Sequence, residues 1–369
     1  MAAKALIHLV AGARPNFVKI APLWHVLRKA DWCSVRIVHT GQHSDINMSD
    51  WFFRDLGLPT PDHHLNAQTG SHAKVTGSTM IAYEELCLHE RPDWSIVVGD
   101  VNSTIACTMA AKKLGIQVAH LESGLRSFDR SMPEELNRVL TDAIADLLWL
   151  PSPEARDNLL REGIPDSRLE FVGNIMIDSL VMAMPQIDAT DVARIINQDP
   201  AAPFALATLH RPANVDDRIQ MEKILRVLVT VSRQLPFFLP LHPRTQHNLS
   251  AFGLRNLLQD SGVRLLEPLS YIDFIALLKH SRFIVTDSGG IQEESSFLGI
   301  PCLTLRENTE RPITLTEGTN KLTDVQHLIA DVDACLAASR KPAAIKFWDG
   351  RTADRVVASL QGRIAGTVN

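Results

Sequence analysis

The chain is poor in cysteine, close to neutral, and has no long apolar run. Only five of 369 residues are cysteines: Cys33, Cys87, Cys107, Cys302 and Cys335. The number is odd, and there is no CxxC or Cys/His ligand spacing. That argues against a disulfide framework and a zinc site, and for reduced, mostly buried thiols in the cytoplasm. The formal net charge is −5, so no global field points to nucleic acid or to an anionic membrane. No apolar stretch is long enough to span a bilayer, and the run in "MAAKALIHLVAGARP" is too short for a signal h-region. A cytosolic protein without membrane or nucleic-acid partners is expected. Short repeats and low-complexity tracts are also missing.

What is present is ordinary globular composition, 45% hydrophobic and 21% charged, which excludes a disordered chain. The length suggests two domains, because single cores stop growing near about 250–300 residues. Short apolar runs end in polar or Gly-rich turns and lead into helical patterns. "ALIHLVAG" precedes "NFVKIAPLWHVLRKA", "WSIVVGD" precedes "STIACTMAAKKLG", and "QVAHLESG" precedes "PEELNRVLTDAIA". The alternation restarts with "PFALATLH" and runs through "RFIVTDSGG" to "PCLTLR". Unalternating strands between helices predict parallel sheets, hence an α/β fold of two doubly wound Rossmann-like domains. The joint is placed within 172–192, giving domains 1–175 and 176–351. The helical pattern of 352–369 is expected to pack back on the first. Two such domains facing a cleft would bring many strand carboxyl ends to one site, where such sheets bind ligands.

The stretch "VTDSGGIQEE" reads as strand, turn and helix start. Backbone N–H groups and the helix dipole at Ser288, Gly289 and Gly290 suit a phosphate, and Glu294 one turn later suits a ribose. The alternative makes Ser288 a helix cap, with the glycines only tightening the loop. In "GARPNFVK", Arg14 and Lys19 put positive charge near a helix N-terminus, against the dipole, which a polyanionic ligand would explain. Asp100 in "VVGDVNST" and Glu122 in "HLESG" end successive strands. Asp100 alone reads best as a cap. As a pair the two suit acid/base work, one raising the other's pKa. His210 in "ATLHRP" ends a strand of the second domain. "HTGQH" and "LHPRT" add Gln42, His43 and His242, and "ENTERP" adds Arg311. These histidines come from separate segments, and no metal is expected. "SMPE" reads as a capping box, with Ser131 at the cap and Glu134 closing it.

Taken in order, "GARPNFVKIAPL", "TGQH", "VVGDVNST", "HLESGLR", "MPEELNR", "VGNIMID", "LHRP", "EPLSYIDF", "TDSGGIQEE" and "ERPITLTEGTN" resemble the non-hydrolysing UDP-N-acetylglucosamine 2-epimerase family over nearly the whole chain. The resemblance implies a GT-B type fold, a UDP-sugar in an interdomain cleft, a homodimer, and no metal or nicotinamide cofactor. It implies interconversion of UDP-GlcNAc and UDP-ManNAc by elimination of UDP to a glycal and re-addition with inversion at C2. Laid on the residues, it gives Asp100, Glu122, Glu134 and His210 as the catalytic set. Arg14, Ser288, Gly289 and Gly290 would hold the diphosphate with Lys19 beside it, Glu294 would bind the ribose and the segment around Phe274 the uracil, and Arg311 would also bind UDP. Gln42, His43, Arg211 and His242 would be allosteric or accessory.

The sequence departs from the family pattern in two places. "HRPANVD" puts Pro212 and Ala213 where the family usually has a charged pair, and the loop between Glu122 and Glu134 is short. "TGQHSDINMSDWFF" and "MPEELNRVLTD" look closer to a sister branch acting on UDP-2,3-diacetamido-2,3-dideoxyglucuronic acid. That epimerase is one alternative and a GT-B glycosyltransferase another. The carboxylates speak against the transferase, which needs at most one base. A non-catalytic nucleotide-sugar binder is disfavoured because unused buried carboxylates are costly.

Overall fold

The computed structural model describes residues 4–41, 56–337 and 340–367, with Arg14 and Thr367 described by backbone alone. The chain forms two compact units, Met1–Met182 with Lys346–Asn369, and Ala183–Ile345. The division falls inside a continuous helix, Ile175–Asp188, a few residues beyond the expected boundary.

Among the described residues the first unit holds seven strands: β1 (Ala5–Ala11), β2 (Cys33–His39), β3 (His63–His64), β4 (Trp94–Val98), β5 (Gln117–Leu121), β6 (Leu147–Leu150) and β7 (Leu169–Phe171). They lie in the order β3-β2-β1-β4-β5-β6-β7, and every pair is parallel. β4 and β6 are buried along their whole length, which is why they read as continuous apolar runs. Strand order reverses between β1 and β4, and chains leaving their carboxyl ends diverge there and open a crevice. The last helix, Thr352–Thr367, belongs to this unit. Asp178 accepts hydrogen bonds from the N–H groups of Thr352 (3.0 Å) and Ala353 (2.7 Å) at its start. The Trp149 indole donates to Ser359 Oγ at 2.9 Å.

The second unit repeats the plan with β8 (Ala205–Thr208), β9 (Phe237–Pro240), β10 (Val263–Leu266), β11 (Ile284–Thr286), β12 (Cys302–Leu305) and β13 (Asn320–Thr323). Their order is β10-β9-β8-β11-β12-β13, again all parallel. The switch point lies between β8 and β11. Its core gathers Phe237, Phe283, Leu225 and Leu228, all fully buried.

Periodicity did not reveal the long helix His72–His89. Its buried residues are Val75, Thr79, Tyr83 and Cys87, one per turn and one of them polar. A stripe that narrow barely modulates hydrophobicity. The five cysteines are free thiols, four of them buried. No described helix is long and apolar enough to cross a membrane.

Candidate active site

At the first switch point the chain leaves β1 through Gly12 and Ala13 into the helix Arg14–Leu27. Gly12 is required here, because a Cβ would lie 1.7 Å from Ser103 Oγ. Asn16 is buried; its Oδ1 accepts from the N–H groups of Gly12 (3.2 Å) and Ala13 (2.9 Å). Its Nδ2 donates to the Val98 carbonyl at 3.0 Å, tying the helix start to the end of β4. One turn on, Lys19 is 7% exposed and ion-pairs with Glu122, itself 5% exposed. A solvated surface lysine is thereby excluded. Glu122 follows β5 with φ +69°, left-handed backbone that costs a non-glycine residue about 1–3 kcal/mol and clusters at functional sites.

Asp100 is not a cap. The N-cap position of the helix Asn102–Lys113 is Val101, with no side-chain hydrogen bond. The Asp100 carboxylate instead meets the buried Arg138 guanidinium, and its carbonyl accepts from Asn137 Nδ2 at 2.8 Å. Asp100 and Glu122 thus each face a cation. Arg138 also grips Glu135, with Nη2 3.0 Å from Oε2. Burial raises the Glu135 carboxyl, but the Ser127 N–H and Arg138 outweigh it and hold it below its usual range. Glu135 gathers the loop by accepting from Ser127 N (2.9 Å), Ser127 Oγ (3.0 Å) and Phe128 N (3.0 Å).

The helix Pro133–Ile144 starts from Met132 without a side-chain cap, so the expected Ser131–Glu134 capping box does not form. Ser131 Oγ instead donates to Asp129 Oδ1 at 2.6 Å. Glu135, not Glu134, occupies the third helical position. Pro133 already lacks an N–H, and the loop is closed by Glu135 binding back to Ser127 and Phe128. Glu134 is exposed in the first turn and takes no part in the hydrogen bonds around Lys19 and Asp100.

At the second switch point His210 follows β8 and Asp287 follows β11. His210 Nδ1 lies 2.9 Å from Asp287 Oδ1; the imidazole is 38% exposed and the carboxylate fully buried. Asp287 also accepts from the N–H groups of His210 (3.1 Å) and Arg211 (3.0 Å) and from Asn214 Nδ2 (3.1 Å). Burial raises its carboxyl, but His210 and these donors outweigh it and hold it low. The dyad orients the imidazole and leaves Nε2 for other work. The His210 and His242 rings are 5.4 Å apart, and His242 Nδ1 accepts from Arg244 N at 3.3 Å, capping the helix Pro243–Ala251.

Ser288 stands at the N-cap position of the helix Gly289–Leu298, but its hydroxyl makes no capping bond. The Ser288 hydroxyl therefore does not occupy the first-turn N–H groups, which suits an anion site. A Cβ at Gly289 would meet Glu310 Oε1 at 2.7 Å, whereas one at Gly290 would meet nothing within 4 Å. Behind Gly289, Arg311 pairs with Glu293 (2.9 Å) and Glu310, and Arg306 with Glu310 (2.9 Å). Gln292 Oε1 accepts from Thr309 Oγ1 (2.7 Å) and Asn320 Nδ2 (2.9 Å). Glu294 is 4% exposed. Burial pushes it up to about 8, with Glu293 adding and Tyr271 and Arg311 offsetting. Phe274 is half-buried on the helix Tyr271–His280.

Of the residues singled out in the sequence, the structure brings Lys19 to Glu122, and Ser288, Gly289, Gly290, Glu294 and Arg311 around one helix start. The Arg14 side chain, Gln42 and His43 lie outside the described residues. No cluster of metal-ligating side chains occurs among those described. Sequence reasoning gave no role to Asn16, Arg138, His120, Asp142 or Asp287. Asp287 had a local signal, an acid ending a buried strand just before Ser-Gly-Gly. The others each have at least one partner distant in sequence: Asn16 the Val98 carbonyl, Arg138 Asp100, and His120 both Asp142 and Gly99.

The family model for UDP-N-acetylglucosamine 2-epimerase matches residues 25–361. The chain is 39% identical over 341 residues to the UDP-N-acetylglucosamine 2-epimerase of Methanococcus maripaludis, covering 90% of this chain and 92% of that one. It is 40% identical over 316 residues to the UDP-2,3-diacetamido-2,3-dideoxy-D-glucuronate 2-epimerase of Pseudomonas aeruginosa, covering 85% and 86%. Its fold matches the crystal structure of the Methanocaldococcus jannaschii UDP-GlcNAc 2-epimerase in complex with UDP-GlcNAc and UDP. There the TM-score is 0.88 at 37% identity, over 96% of this chain and 99% of that one.

Proposed function

The chain belongs to the UDP-N-acetylglucosamine 2-epimerase family, and from that premise we propose that it interconverts UDP-GlcNAc and UDP-ManNAc. The observation that carries the reading is Glu122, buried on left-handed backbone at a strand end and paired with Lys19. A buried lysine–glutamate pair at a switch point is a costly arrangement for a merely structural role.

In this reading a carboxylate of the Asp100–Glu122 pair takes the proton from C2. The C2–H electrons form the C1–C2 double bond, and the C1–O bond breaks with its pair leaving on UDP. No carbonyl is attached to C2, so departure of the diphosphate supplies much of the driving force. Cationic and N–H groups on the diphosphate favour it. Lys19, Arg14 and the Ser288–Gly290 helix start are assigned that task, Glu294 the ribose and Phe274 the uracil. UDP then re-adds to C1 while a proton is delivered to the other face of C2, which requires a second acid/base group. His210, held by Asp287, and Glu134 complete the assigned set. Gln42, His43, Arg211 and His242 are assigned accessory roles, and a homodimer is part of the same reading.

The test is incubation with UDP-GlcNAc in D2O followed by NMR. Deuterium at C2 together with UDP-ManNAc is expected. Recovered sugar carrying only hydrogen at C2, with no new isomer, overturns the reading for this substrate. The same assay on UDP-2,3-diacetamido-2,3-dideoxyglucuronic acid, the sugar in the name of the Pseudomonas relative, tests the alternative.

A further inference from the structure

The mechanism above gives no task to His120, two residues before Glu122 on β5. Its side chain is fully buried. Nδ1 lies 2.6 Å from Asp142 Oδ1, and Nε2 lies 2.9 Å from the carbonyl of Gly99. The Gly99 carbonyl can only accept, so Nε2 donates to it. Burial works against the Asp142 carboxylate, but His120 and Arg126 outweigh it and keep it ionised.

The Gly99 peptide is the floor of the first cluster. Its φ is +69°, and a Cβ there would come within 3.3 Å of Lys19 Nζ, 3.4 Å of Asn16 Nδ2 and 3.6 Å of Glu122 Oε2. Its N–H donates to the Leu121 carbonyl at 3.2 Å, and its carbonyl oxygen, on the peptide that leads to Asp100, is the one His120 holds. A glycine in this conformation resists rotation only through such bonds. The next residue is Asp100.

Asp142 serves both loops at once. Beyond His120 it accepts from Gly124 N (3.0 Å), just after Glu122, and pairs with Arg126 (2.7 Å), which pairs in turn with Glu162 (2.7 Å). It also sits on the helix whose Asn137 and Arg138 hold Asp100.

We propose that His120 is a positioning residue for the epimerisation: its Nε2–H, aimed by Asp142, fixes the Gly99 carbonyl and thereby the placement of Asp100 and of the Lys19–Glu122 pair against the sugar. The inference rests on the epimerase reading. A core histidine that only satisfied buried polar atoms would lose stability on any substitution, without distinguishing its two nitrogens.

The two nitrogens can be separated. Glutamine places an amide N–H near the position of Nε2, and asparagine places one near Nδ1. In His120→Asn the Gly99 bond is lost, and kcat is expected to fall about 100-fold, the scale of an ångström-level misplacement, with UDP affinity and KM within about threefold. In His120→Gln the bond is kept, and kcat is expected to stay within about fivefold of the parent. Equal losses in the two variants, or an asparagine variant as active as the glutamine one, overturn the proposal. Should the asparagine variant not fold, Asp142→Asn decides. Its amide donates to Nδ1 and leaves the hydrogen on Nε2, so thermal stability drops while kcat falls less than about tenfold. A kcat loss as large as that of Glu122→Gln overturns the proposal. A parent protein with no exchange at C2 counts against the epimerase reading, whereas an active parent with indistinguishable variants counts against His120 alone.

Discussion

At the β1/β4 switch point Asp100 faces Arg138, and Glu122 faces Lys19. At the β8/β11 switch point Asp287 faces His210, but Glu294 lies beside Tyr271 and Glu293 and is pushed up to about 8. The same architecture thus carries two charge designs. The first keeps carboxylates beside cations, which suits groups that must accept a proton. The second keeps a carboxyl protonated near neutral pH beneath a glycine-rich helix start, which suits hydrogen bonding to a neutral diol and leaves the anion to the helix. The two switch points are thus divided by what faces their carboxyls.

The sharpest way to break that division is Glu122→Gln. It is expected to lower C2 exchange by about 10²–10⁴-fold, the range of a lost acid/base group, while UDP still binds. Retained exchange by NMR removes Glu122 from the chemistry. The counterpart in the second unit is Asp287→Ala, which strips the acceptor from two backbone N–H groups, Asn214 and His210. A stability loss of about 3 kcal/mol is expected from denaturant unfolding, together with lost activity. A variant as stable as the parent would show the dyad to be dispensable to the fold.

The adjacent glycines separate packing from binding. Gly289→Ala must displace the Glu310–Arg311 pair, with a stability loss of about 1–3 kcal/mol expected from overpacking. Gly290→Ala meets open space, so its melting temperature should barely move while UDP affinity, measured by calorimetry, falls. Equal melting losses in the two would contradict the geometry.

The smallest effect concerns pH. The folded pKa of Glu294, about 8, lies above its ordinary 4.5. The folded protein therefore holds a proton that the unfolded chain releases, and this contribution is complete below 4.5 and lost as pH rises through about 8. Glu294→Gln should match the parent at the acid end and melt higher at the alkaline end of that window. Parallel melting curves across the window would place the Glu294 pKa near its ordinary value.

Much of this was legible in the sequence. Buried parallel strands announce themselves as apolar runs, and "TDSGGIQEE" and "HLESG" mark strand ends with polar residues that a core would reject. The helix His72–His89 escaped because its buried stripe is one residue wide. The capping-box reading of "SMPE" failed because Glu135 is held by Ser127 and Phe128, contacts that only the folded loop brings together.

The amino-acid sequence by itself determined the α/β alternation, the two-unit plan and the residues at the carboxyl ends of β4, β5, β8 and β11, because burial and backbone geometry are local demands written in residue type. Tertiary structure alone decided which charge faces which. Lys19 meets Glu122, Arg138 meets Asp100, and His120 meets both Asp142 and Gly99 across parallel crossovers. Electrostatic pairing depends on distance in space, and a doubly wound sheet brings together residues far apart in the chain.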